Sequence, residues 1–124
     1  MSAVLTSYKS AVAFRQDRFQ PIVLAETERI RVLLMCLEPG QAIPVHRPGI
    51  DLTLIVLEGD GTMTAGDRED PISPGTLVVV PAGNARGLRA TGRLVALAVA
   101  SPPPTAADHR EGSAAGPIFR PSVP

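Results

Sequence analysis

PGQAIPVHRPGIDLTLIVLEGDGTMTAGDREDPISPGTLVVVPAGNARGLRA, residues 39–90, alternates short apolar runs with turn-forming pairs. Leu52–Leu57, Thr62–Ala65 and Thr76–Val80 are strand-length and rich in Val, Ile, Leu and Thr. Between and around them, Pro39-Gly40, Pro48-Gly49, Gly59-Asp60-Gly61, Gly66-Asp67, Pro74-Gly75 and Ala82-Gly83-Asn84 mark tight turns. Leu52–Leu57 is apolar at nearly every position, so both of its faces are expected to be covered. One face suits a barrel core; the other calls for a second layer or a partner subunit.

The same pattern extends outward. Ile22–Ala25 and Ile30–Leu37 precede the stretch, and Leu94–Ala100 follows it. No segment combines helical periodicity with adequate length and freedom from Gly and Pro. Many short strands at close spacing predict an all-β sandwich or barrel. Residues 1–20 read as an N-terminal arm, 21–101 as the barrel, and 102–124 as a Pro/Ala-rich tail that begins Pro102-Pro103-Pro104. Within that tail, the Ile118-Phe119 pair is the one apolar element able to dock elsewhere. There is no internal repeat.

Composition narrows the function classes. A chain of 124 residues fits one domain with a real core, and at 44% hydrophobic but 3% aromatic, without Trp, that core must be aliphatic. Twelve basic residues, of which only Lys9 is lysine, balance twelve acidic ones. Zero net charge offers nothing to a nucleic acid or a membrane surface, so neither is expected as a partner. Cys36 is the sole cysteine, which excludes an internal disulfide and a cysteine-based zinc site. With no leader-like segment and no apolar run of spanning length, a soluble cytoplasmic protein is the expectation.

Glycine, proline and histidine spacing adds a resemblance. Gly40 is followed by five residues and then His46, and Gly59 closes that unit; after fifteen intervening residues Gly75, Pro81 and Gly83 form a second pattern. This arrangement resembles the two motifs of the cupin family, and it implies a jelly-roll β-barrel, or double-stranded β-helix. In typical cupins three His and one Glu hold a divalent metal inside the barrel. Here only His46 remains, because Pro48, Leu52 and Arg86 occupy the other three ligand positions. A first-row metal needs three or four converging N, O or S donors, and Arg86 is a permanent cation. No cofactor and no metal held by three or more protein ligands is therefore expected; His109, in the tail, is a poor substitute.

His46 has two readings: a ligand contact, acid/base group or lone metal ligand in the barrel mouth, or a relic hydrogen-bonded to a neighbouring strand. Arg86, at a position the resemblance turns inward, suits a carboxylate or phosphate. Its plainer reading is an ion pair with Asp51 or Glu58, or a chain that snorkels to solvent. Asp51 is a further candidate contact, although strand alternation turns it away from Leu52's face and towards use in a turn. Arg47 and Asn84 flank the mouth. Cys36 reads as a small core hydrophobe, and Glu58 as a turn residue. The expected function is small-molecule binding in a cavity suited to a small anion such as a carboxylate, by a homodimer, with His46, Arg86, Arg47 and Asp51 as the binding set. The alternatives are an enzyme (isomerase, epimerase, lyase or oxygenase-like) using His46, and an interaction domain whose barrel is filled by Leu52 and Leu54.

Overall fold

The computed structural model describes residues 2–104, so the expectations for His109 and for Ile118-Phe119 lie outside the described residues. Among the described residues nine strands form two antiparallel sheets: β1 (Ile22–Glu26), β2 (Arg31–Leu37), β3 (Ala42–His46), β4 (Asp51–Glu58), β5 (Gly61–Ala65), β6 (Arg68–Ile72), β7 (Leu77–Val80), β8 (Arg86–Ala90) and β9 (Leu94–Ser101). The five-stranded sheet runs β1-β2-β9-β4-β7, and the four-stranded sheet runs β3-β8-β5-β6. This is the expected jelly-roll barrel.

Period-two alternation decides which side chains fill it. On β4, Leu52, Leu54 and Val56 are buried while Asp51, Thr53 and Ile55 are exposed. Opposite them in the same sheet stand Ala100, Ala98 and Ala96 of β9. Leu33, Met35 and Leu37 from β2, Ile43 from β3, Met63 from β5, Ile72 from β6 and Leu88 from β8 complete one aliphatic core. Four glycines that the turn pairs single out, Gly40, Gly59, Gly75 and Gly83, have φ between +80° and +93°, and no non-glycine residue has a positive φ among the described residues.

The second layer over the five-stranded sheet comes from the chain's own N-terminal arm. After one 3-10 turn (Tyr8–Ser10), capped by the Ser7 hydroxyl, Tyr8, Ala11, Val12 and Phe14 pack on the outer-face cluster of Leu34, Cys36 and Val95. The Tyr8 hydroxyl donates to Glu58 at 2.8 Å, and Gln41 donates to the Arg15 carbonyl at 2.6 Å. The Arg93 guanidinium lies 4.3 Å from the Phe14 ring centre while donating to Glu38 at 2.8 and 3.0 Å. Phe19, 6% exposed, enters the barrel core itself. The arm covers Leu57 but not Ile55, which is 36% exposed, so the expectation of two covered faces along Leu52–Leu57 holds only at its end. Leu77 and Val79 on β7, paired with Ile55 and Thr53, extend that apolar surface at 63% and 62% exposure.

Candidate functional site

His46 closes β3, where the pairing with β8 carries a bulge between Ile43 and His46. The bulge lets two residues three apart both face inward, since Ile43 and His46 are buried while Pro44 and Val45 are exposed. Gly87 makes that crossing possible: a Cβ there would meet Val45 Cγ2 at 2.9 Å and the Ile43 carbonyl oxygen at 3.1 Å. Nδ1 of His46 donates to the Pro44 carbonyl at 3.0 Å. In the neutral ring this tautomer leaves the lone pair on Nε2.

Arg86 is the Cα partner of His46 across β3–β8 and of Ala65 across β5–β8. It is 2% exposed. Its Nη2 reaches across to the other sheet, donating to the carbonyls of Ile50 at 2.8 Å and Pro81 at 3.1 Å, with Asn84's at 3.5 Å. Nε and Nη1 are buried and have no hydrogen-bond partner among the described residues. Burial pushes the guanidinium down to about 10, and the Asp51 charge pulls it partly back. At neutral pH it remains a cation, sheltered from water and offset, among the described residues, by carbonyl dipoles and the charge of Asp51. That is a costly arrangement unless something else compensates it.

Asp51 is exposed, as alternation on β4 requires, and its Oδ1 accepts the Ala82 amide at 2.8 Å, tying the start of β4 to the turn after β7. Arg47 is exposed in the loop between β3 and β4, and Asn84 is exposed in the β7–β8 turn, donating weakly to the Pro81 carbonyl at 3.4 Å. Thus His46 and Arg86 come together inside the barrel, whereas Arg47 and Asp51 stand on its rim. Cys36 lies in the outer cluster beneath the arm, its thiol pushed up by burial. Glu58 serves as the acceptor for Tyr8.

Sequence reading passed over a second buried arginine. Arg31 opens β2 in step with Leu33, Met35 and Leu37, which all lie in the core, and it is 7% exposed. Its Cα partner on β9 is Ala100, whose partner on β4 is Leu52. Nε donates to Glu26 at 2.5 Å, and Nη1 is buried without a hydrogen-bond partner among the described residues. Period two from Leu33 places residue 31 on the inward face, but Leu33–Leu37 is apolar at every position, so only the structure tells which face that is.

The donor set does not fit a divalent metal. Of the four positions at which typical cupins supply ligands, Pro48 and Leu52 are buried without donors and Arg86 brings a buried cation beside His46. Among the described residues no three His, Cys, Asp or Glu side chains cluster. A separate cleft of about 630 Å³ opens along the seam between β6 and β7, with Met63, Ala65 and Val78 on its walls. Its arginine, Arg68, is already paired with Asp70 at 2.6 Å.

Residues 33–100 match the cupin domain family. The chain is a cupin. No curated protein matches its sequence. Among solved structures, this cupin is similar to the TT1209 protein of Thermus thermophilus, at 29% identity and a TM-score of 0.74, with 79% of this chain and 96% of that one covered. It is also similar to an RmlC-like cupin protein from Desulfovibrio desulfuricans, at 28% identity and a TM-score of 0.69, covering 82% and 97%. The DMSP lyase DddQ from Ruegeria pomeroyi DSS-3 shares the fold at 22% identity and a TM-score of 0.62, covering 68% of this chain and 47% of that one. No helix among the described residues is long and apolar enough to cross a membrane.

Proposed function

We propose that this cupin binds a small, partly apolar carboxylate at the mouth of its barrel, with Arg86 clamping the anion and His46 serving as hydrogen-bond donor or base. One observation carries the reading: Arg86 is 2% exposed, yet two of its three guanidinium nitrogens lack an acceptor among the described residues. A carboxylate supplies both the missing acceptors and the missing negative charge. Leu52 and Leu54, inward and buried, give the apolar part of such a ligand its floor. The test is calorimetric titration of small carboxylates into the wild type and Arg86→Ala. Loss of a charge-assisted clamp lowers affinity about tenfold or more; equal affinity in the two proteins overturns the reading.

A second reading, an enzyme, draws on the pairing of His46 with Arg86 across β3–β8. A base beside an anion clamp suits proton abstraction next to a bound carboxylate, as in an isomerase, epimerase or lyase. Its substrate then exchanges a carbon-bound proton with deuterated solvent, and His46→Gln stops the exchange even at saturating substrate. The binding reading also takes the protein to be a homodimer, with a second copy over Ile55, Leu77 and Val79.

A further inference from the structure

We propose that Arg31 is the second anion-binding residue of the mouth, so that the preferred ligand is a short dicarboxylate spanning Arg86 and Arg31. This rests on the binding reading given above and names its ligand class. Arg31 and Arg86 belong to different sheets, yet register brings them to one end of the barrel. Arg31, Ala100 and Leu52 stand in one row across β2, β9 and β4, and Arg86 donates to the carbonyl of Ile50, two residues before Leu52. At about 4.8 Å per strand, the Cα atoms of Arg31 and Leu52 lie about 10 Å apart.

The hydrogen-bond inventory points the same way. Each guanidinium is anchored on one side, Arg31 by Glu26 and Arg86 by the Ile50 and Pro81 carbonyls. Each keeps a buried nitrogen with no partner among the described residues, Nη1 on Arg31 and both Nε and Nη1 on Arg86. Anchored guanidinia with spare N–H groups are pre-organised donors, which lowers the ordering cost of binding. Glu26 tunes the arrangement. Its carboxylate is 44% exposed and partly neutralises Arg31, so a ligand carboxylate at Arg31 competes with it.

The experiment titrates acetate, propionate, malonate, succinate and glutarate into the wild type, Arg31→Met, Arg86→Ala and Glu26→Gln. One of the three dicarboxylates binds the wild type about tenfold or more tightly than either monocarboxylate. Arg31→Met removes that preference and leaves monocarboxylate affinity within about twofold, whereas Arg86→Ala weakens both classes. Glu26→Gln strengthens the dicarboxylate about threefold or more, an effect that a purely structural Arg31–Glu26 pair does not produce. If Arg31→Met does not fold, Glu26→Gln decides alone, and unchanged affinity overturns the inference. A wild type that binds monocarboxylates and dicarboxylates equally, with only Arg86→Ala weakened, sinks the role of Arg31 and leaves the binding reading intact. No binding of any acid overturns both.

Discussion

Gly59 leaves β4 at a φ of +80°, and a Cβ placed on it would sit 1.7 Å from the Arg93 carbonyl oxygen. Gly40 has a similar φ of +85° with nothing within 4 Å of that position. The two therefore separate conformational strain from steric exclusion. Gly40→Ala is expected to cost about 1 kcal/mol, the price of a left-handed residue, and Gly59→Ala at least about 4 kcal/mol, because backbone must move. Urea denaturation of the two variants checks the difference, and equal losses would show that the Gly59 turn relaxes freely. Such glycines announce themselves in the sequence, since a turn pair between strand-length runs has few other uses. His46 and Arg86 were legible for a related reason, as they sit at fixed distances from those glycines. Arg31 was not, because a charge at the head of an apolar run reads as its flank until the strand's facing is known. Neither could sequence tell which nitrogens of Arg86 find carbonyls, a matter of where Ile50 and Pro81 come to rest.

At the scale of elements, the apolar runs gave away the five-stranded sheet and concealed most of the other. β1, β2, β4, β7 and β9 all coincide with runs of Val, Ile and Leu, but β3, β6 and β8 lie outside every such run. β3 and β6 have much of their length in solvent, and β8, though mostly buried, is broken up by Arg86, Gly87 and Arg89. β6 is Arg-Glu-Asp-Pro-Ile with only Ile72 buried, and Pro44 interrupts β3 at its bulge. The arm was equally obscure, because its anchors are scattered singly through polar sequence. Phe19 is the firmest of them. Replacing it with alanine removes an aromatic ring from a close-packed aliphatic core, and about 3 to 5 kcal/mol of stability should go with it. A loss below about 1 kcal/mol in chemical denaturation would mean that the arm sits on the barrel without belonging to it.

For the whole molecule, the arm's coverage ends where the β4–β7 half of the sheet begins. Among the described residues β7 is an edge strand paired with β4, and it carries Leu77 and Val79 outward next to Ile55. An apolar edge of this kind invites another chain unless something covers it. The proposed homodimer makes a two-fold contact there. Light scattering at micromolar concentration should give twice the chain mass for the wild type and the single mass for Leu77→Lys. A monomeric wild type would discard the dimer while leaving the mouth untouched. The order of strands has one more consequence. β9 lies between β2 and β4 at the centre of its sheet, although among the described residues it is the last strand to be synthesised. A nascent chain that has reached only Arg93 holds β2 and β4 with no strand to join them, and the arm lacks the Val95 half of its seat. The two halves of the larger sheet can join only after β9 has left the ribosome, so β2 and β4 each keep an open edge until the barrel closes.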